Sequence, residues 1–246
     1  MGVKEMTVNV VIPAAGLGTR FNTTIPKPLL DVNGSPMLAR VLNNFHHRDV
    51  KFFVCILKEH QQKFNIIDNV KTHCDTSSIK YIIIDELTDG PARTSYFVKQ
   101  HVNVDEPLIV TNCDQVIFDL DLDKLISFAK KNLADGVVGT FYSNSPKNSY
   151  VRLNDDGLVV QVREKEVISN YATNGLHFWS KGSYFFGSCD EMFSRNDRVN
   201  NEFYVGPSYN YMINKGMKVV QYFFNEHFPI GIPQDLEKFK KIDESI

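Results

Sequence analysis

The amino-acid sequence predicts an α/β fold. We expect three α/β/α layers around a central, mostly parallel, doubly wound Rossmann-like sheet, with an added small mixed β lobe. Three observations carry this. Strand-like and helix-like segments alternate through the first 142 residues, the pattern of a parallel sheet with helices on both faces. A glycine turn follows the first strand. Polar turns also close the third and fourth strands, on the carboxyl edge where such sheets bind ligands.

The elements follow in order. Residues 7–13 (TVNVVIP) are a buried strand and 14–20 (AAGLGTR) the glycine turn. Residues 36–46 space Leu38, Val41, Leu42 and Phe45 on one helical face, with Pro36 at the start. KFFVCIL (51–57) is a second strand, followed by a polar helix near 59–69. IKYIII (79–84) leads through the turn TDGPA into a helix over 92–101. PLIVT (107–111) ends in NCDQ, and a helix carrying Leu122, Leu125, Ile126 and Ala129 precedes strand 136–142. Residues 149–163 alternate around NDDG as a hairpin. Strand 172–179, helix 205–215, strand 217–224 and a helix from Pro233 complete the chain. Without repeats or a flexible linker, the sequence reads as a single domain over 1–246, made of two halves, 1–145 and 146–246.

The 246 residues are 43% hydrophobic and 23% charged, enough for a large core without staples. Lys plus Arg (27) nearly balance Asp plus Glu (29), which argues against a nucleic-acid binder. No apolar run approaches the ~20 residues of a membrane span. The start reads as strand and glycine loop instead of a leader peptide, and position 6 is Met where Met1-Gly2 lipidation would want Ser or Thr. Cys55, Cys74, Cys113 and Cys189 are dispersed and read as free thiols of a cytoplasmic protein. The histidines, including adjacent His46 and His47, form no HxxxH or HxH pair that would hold zinc.

Residues 13–28, PAAGLGTRFNTTIPKP, can form an anion-binding nest, because small residues let the backbone approach a ligand. A dinucleotide fingerprint fails because position 21 is Phe, and no P-loop GKS or GKT exists. The combination AAGxGTR followed by PKP resembles the sugar-1-phosphate nucleotidylyltransferases. DELTDGPART (85–94), NCDQ (112–115), EK (164–165), TNG (173–175), NNEFY (200–204) and GIPQDLEKF (231–239) extend the resemblance over nearly the whole chain. NCDQ and NEFYVGPSYN resemble a branch common in bacterial capsule and surface-polysaccharide clusters.

The resemblance implies transfer of NMP from an NTP to a phosphate monoester, expected to be a sugar 1-phosphate, with release of pyrophosphate. The attacking phosphate is already anionic, since its second pKa is ≈ 6, so no general base is needed. The barrier is the meeting of two multiply charged groups, which calls for cations, backbone donors and a metal. Arg20 and Lys27 are the implied catalytic residues. Ala14, Ala15, Gly16, Gly18, Thr19, Asp85, Gly90, Ala92 and Asp114 join them around the nucleotide. Glu164, Lys165, Asn174, Gly175, Arg198 and Glu202 are implied on the acceptor side, and Asp114 as the ligand of Mg²⁺. Read alone, Lys165 within REKE also fits a solvated charged face. The expected partners are thus an NTP and a phosphorylated small molecule, with a homo-oligomer left open.

One position departs from the pattern. The resemblance implies, as is usual in sugar-specific members of that family, a second metal-binding Asp two residues before the glycine of FPIGIP, where this chain has Pro229. Asp235 reads as a helix cap. Three alternatives therefore stay open: a CTP-dependent enzyme for a non-sugar phosphate such as phosphocholine or a phosphorylated amine or amino acid, a catalytically inactive nucleotide-binding protein, and a glycosyltransferase. A choline site would want an aromatic cage, for which Tyr171, Phe178, Trp179, Tyr204 and Tyr211 are available.

Overall fold

The computed structural model describes residues 7–45, 50–75 and 77–244. Met1-Gly2 and the His46-His47 pair lie outside the described residues. The first half runs β1 (Val8–Pro13), a hairpin of β2 (Asp31–Val32) and β3 (Ser35–Pro36), α1 (Met37–Leu42), β4 (Val50–Leu57), α2 (Lys58–Phe64) and α3 (Ile66–Lys71). It continues through β5 (Ile79–Ile84), α4 (Pro91–Tyr96), β6 (Leu108–Thr111), β7 (Gln115–Ile117), α5 (Leu122–Lys131) and β8 (Gly136–Tyr142). The second half adds β9 (Tyr150–Leu153), β10 (Val159–Arg163), β11 (Tyr171–Trp179), α6 (Gly182–Ser194), α7 (Ser208–Ile213), β12 (Val219–Phe223), β13 (His227–Pro229) and α8 (Pro233–Asp243).

Strands β5, β4, β1 and β6 pair side by side, all parallel. β11 runs antiparallel between β6 and β8, and β12 pairs parallel with β8. The β9–β10 hairpin joins the same sheet beside the start of β11. β1 is thus the switch point: the chain winds outward to β4 and β5, then crosses back to β6 on the other side. The carboxyl ends of β1, β4, β5, β6, β8 and β12 share one rim, which also holds the end of β10 and the start of β11. A separate antiparallel pair, β7 with β13, straps the C-terminal stretch beside the end of β6.

Alternation along the central strands feeds two cores. Val8, Val10, Ile12, Phe52, Val54 and Ile56 pack with α1, α3, α5 and α8 on one face. Val11, Phe53, Cys55 and Leu57 pack with α4, α6 and α7 on the other. Burial on both faces explains why these strands read as continuous apolar runs.

Three boundaries differ from expectation. The 59–69 helix is two helices broken at Asn65, whose φ of 47° lies in the left-handed region. The helix expected over 205–215 is confined to α7, and that over 92–101 is α4 followed by a 3-10 turn at Phe97–His101. α6 was not anticipated at all. Its Phe185, Phe186, Cys189 and Met192 are buried at helical spacing, but Gly182, Gly187 and several Ser lower its intrinsic propensity. Packing under Trp179, 4.7 Å from Phe185 between ring centroids, supplies what propensity does not.

Candidate active site

The chain leaves β1 through Ala14 and Ala15, both buried, with the Ala14 amide donating to the Cys55 carbonyl (2.8 Å). Gly16 faces open space. Gly18 sits at φ 65°, and a Cβ there would lie 2.9 Å from Lys27 Cβ, so only glycine lets the loop cross over Lys27. Thr19–Phe21 then form a 3-10 turn that leaves Thr19 and Arg20 exposed. Pro26 precedes and Pro28 lies within a second 3-10 turn at Lys27–Leu29, so Lys27 is flanked by two prolines.

The Lys27 ammonium donates to the Asp114 carboxylate across the switch point between β1 and β6. The two side chains are 12% and 10% exposed. Burial pulls the Lys27 pKa down, but Asp114 outweighs it and the ammonium ends above its ordinary value. Burial likewise pushes Asp114 up, and Lys27 and Arg20 outweigh that, holding its carboxyl below the usual range. Gly231 backs the pair: a Cβ there would fall 2.4 Å from Asp114 Oδ2. The Ile230 amide donates to the Asp114 carbonyl (2.9 Å). Pro229 pairs with Gln115 across β13–β7, so the expected second carboxylate position sits beside Asp114 but carries no ligand atom.

Across the rim, Glu164 and Lys165 follow β10. Lys165 adopts φ 54°, and its ammonium donates to the Tyr204 hydroxyl (2.8 Å). Glu164 accepts from Ser149 Oγ, and burial pushes its carboxyl above the ordinary range. Tyr204 titrates above its usual value, mainly through burial and then through Glu202. Arg20, exposed on the glycine loop, acts electrostatically on Lys27, Asp114 and Tyr204 alike. The buried Asn174 and Gly175 occupy an irregularity in β11. A Cβ on Gly175, at φ 81°, would lie 2.6 Å from Asn112 Nδ2, which ties this irregularity to the NCD strand end.

The remaining expected residues are placed differently. Gly90 (φ 129°) lies against Phe203, where a Cβ would fall 2.5 Å from its backbone N and O. The Ala92 amide donates to the Phe203 carbonyl (2.9 Å) and the Phe203 amide to the Asp89 carbonyl (2.7 Å). Arg198 pairs with Asp89 (2.8 Å) and donates to the Asn201 carbonyl (3.1 Å), so it fastens the TDG turn to the NNEFY loop. Asp85 is exposed and paired with Lys58 (2.8 Å). Glu202 is exposed near Glu164 and Tyr204. Of the cage candidates, Phe178, Trp179 and Tyr211 are buried in the core. Sequence reasoning missed Ser149 as a partner of Glu164, and Gly231 as the backing of Asp114. Neither had a signal beyond its motif neighbours.

Comparison with known proteins gives the family and the fold. Residues 10–153 match the MobA-like NTP transferase domain. A segment of 129 residues is 32% identical to bifunctional protein GlmU of Methanococcus aeolicus, covering 51% of this chain and 29% of that protein. The 2-aminoethylphosphonate cytidylyltransferase of Lancefieldella rimae is 27% identical over 194 residues, 73% of this chain and 70% of that one. The match thus spans under a third of the first relative's length and more of the second's. In fold, the chain is similar to a nucleoside-diphosphate-sugar pyrophosphorylase of Vibrio cholerae RC9, with a TM-score of 0.82 at 20% identity, over 94% of this chain and 99% of that one.

Proposed function

The chain belongs to the MobA-like NTP transferase domain family, and from that premise we propose that it transfers a nucleoside monophosphate from an NTP to a small phosphate monoester. The observation that carries this reading is the Lys27–Asp114 pair under an open glycine loop, with Arg20 beside it. An acceptor phosphate oxygen attacks the α-phosphorus, the bond from that phosphorus to the bridging oxygen breaks, and pyrophosphate leaves with the electron pair. The nucleophile is already an anion, so the protein's task is electrostatic. Loop amides from Ala15 to Thr19 and the Arg20 guanidinium hold the β- and γ-phosphates. Lys27 exchanges its bond to Asp114 for the α-phosphate. Lys165 neutralises the acceptor phosphate. In this reading residues 1–145 hold the nucleotide and 146–246 the acceptor.

Among the described residues no three His, Cys, Asp or Glu side chains group as a metal site. Mg²⁺, however, is commonly held by one or two carboxylates with phosphates and water completing its shell. Asp114, kept ionised and backed by Gly231, fits that part. Mg²⁺ bound there would neutralise phosphate charge.

Two acceptor readings follow. The sugar 1-phosphate expectation is supported by the motif resemblance. A non-sugar phosphate with CTP as donor is supported by the 73% of the chain that aligns with the aminoethylphosphonate enzyme and by Pro229. A precursor role in surface polysaccharide and a cytoplasmic setting, where NTPs are abundant and thiols stay reduced, complete the proposal. No helix among the described residues is long and apolar enough to cross a membrane. A pyrophosphate-release screen crossing the common NTPs with sugar and non-sugar phosphates tests the reading. Release that needs both substrates supports it; its absence in every combination refutes it.

A further inference from the structure

The rim that carries Asp114 continues to the ends of β8 and β12. A cavity of about 300 Å³ opens there, lined by Phe141, Tyr142, Phe223, Phe224, Asn225 and His227. The Tyr142 ring is 4.6 Å from Phe223 and 5.4 Å from Tyr171, and Phe141 lies 4.5 Å from the His227 ring. Tyr142 is 65% exposed, an unusual place for a ring that touches two others. This cluster, not the buried Phe178 and Trp179, is the aromatic group open to a ligand.

One wall of the cavity is tied to the strand end that carries Asp114. His227 shares its Nε2 hydrogen bond with Gln115 Oε1, the residue after Asp114. Its Nδ1 is buried and has no partner. Asp114 and Asp119 both act on His227 electrostatically, and Asp119 accepts the Asn225 amide at 2.9 Å. Among the described residues no lysine or arginine lines the cavity. Ring faces with polar edges from Asn225 and His227, and with Asp119 nearby, make this an aromatic pocket. Such a pocket attracts an organic cation. A neutral sugar ring would need several hydrogen-bonding side chains; of the three in the lining, Tyr142, Asn225 and His227, the last already spends its Nε2 on Gln115.

We propose that this cavity receives an ammonium group at the end of the acceptor remote from its phosphate, making the acceptor a zwitterionic phosphate or phosphonate of a small amine. Phe141, Tyr142 and Phe223 form the ammonium subsite, and Lys165 faces the opposite charge. The proposal rests on the transferase reading for the phosphate end. The ammonium subsite itself can be tested without that reading.

Choline and ethanolamine are titrated into the full chain by calorimetry, with 3,3-dimethylbutanol as the uncharged isostere of choline. At least one cation should bind saturably, and dimethylbutanol at least tenfold more weakly than choline where choline is the one bound. Tyr142→Ala should weaken cation binding fivefold or more. Tyr142→Leu, which keeps apolar volume but removes the ring, should do the same. In kinetics, the wild-type preference for phosphocholine or 2-aminoethylphosphonate over glucose 1-phosphate should collapse toward parity in Tyr142→Leu. Saturable binding of neither cation, or equal binding of choline and dimethylbutanol, overturns the subsite. If glucose 1-phosphate is turned over while no cation binds, the subsite fails and the transferase reading stands. If cations bind through Tyr142 but no acceptor is turned over with any NTP, the transferase reading fails and the subsite stands.

Discussion

Replacing Lys27 with methionine tests how the reaction centre is built. The substitution keeps most of the side-chain length and removes the charge that faces Asp114. Only 12% of Lys27 and 10% of Asp114 is exposed, so Asp114 would be left as a nearly buried carboxylate in the field of Arg20 alone. Breaking a buried pair from one side costs on the order of 3–5 kcal/mol, and residual water contact puts this pair at the low end, about 3 kcal/mol. For a chain of this size, at ~2–4 °C per kcal/mol, the melting temperature should drop by roughly 6–12 °C. Asp114→Asn should cost a similar amount by stranding Lys27. The double variant removes both charges and should be more stable than additivity predicts, with a coupling of about 2 kcal/mol. Urea denaturation at pH 7, followed by circular dichroism, gives all four corners of the cycle. Because the folded Asp114 pKa is depressed, the stabilisation is fully present above the ordinary carboxylate range. It fades as pH falls through the folded value, so the coupling should shrink in acid. Lys27→Met should also lose about 10²–10³-fold in turnover while still folded, the scale of one preorganised electrostatic contact. Additive single costs, or single costs below about 0.5 kcal/mol, would show that the pair is not the buried unit described.

Other perturbations read separate parts of the account. Lys165→Ala should lower acceptor kcat/KM tenfold or more, about 1.4 kcal/mol, and leave the NTP Kd within about threefold; the reverse split would move Lys165 to the donor side. Gly90→Ala should destabilise by about 2 kcal/mol or more, because its φ is strained and its Cβ meets the Phe203 backbone. A Gly90→Ala protein with wild-type melting and nucleotide affinity would contradict that geometry. Burial lowers the His177 pKa to about 4, so the folded state resists its protonation. Stability should be full above pH ~6.5 and decline as pH falls toward 4, by about 3 kcal/mol from this residue alone. His177→Leu should flatten that decline, and an unchanged slope would show that His177 is not the group responsible.

The sheet and its rim were legible because both faces of β1, β4 and β6 are buried, which writes them as apolar runs punctuated by glycine and NCDQ. Lys27 and Asp114 were legible as motif members, but not as partners of one another. Their contact comes from the β1–β6 crossover, a tertiary fact 87 residues apart in sequence. Arg198 was expected near the acceptor, yet its guanidinium is committed to Asp89, because Phe203 brings the NNEFY loop against the TDG turn. α6 stayed hidden behind its glycines and serines. The Tyr142–Phe223 cluster stayed hidden because its rings come from strand ends joined only by the parallel β8–β12 pairing. A strand-end aromatic reads the same in sequence whether it faces a cavity or a core.

The central claim is that Lys27, Asp114 and the glycine loop form a nucleotidyl-transfer centre. The most direct measurement is ³¹P NMR of the wild-type chain with each common NTP, Mg²⁺ and a panel of phosphate monoesters and phosphonates. We predict one NTP and one acceptor class consumed in equal amounts, with pyrophosphate and a new diphosphate-type linkage appearing in the same ratio, and a rate about 10²–10³-fold lower with Lys27→Met. Release of inorganic phosphate without acceptor, no consumption in any combination, or full activity in Lys27→Met would contradict it.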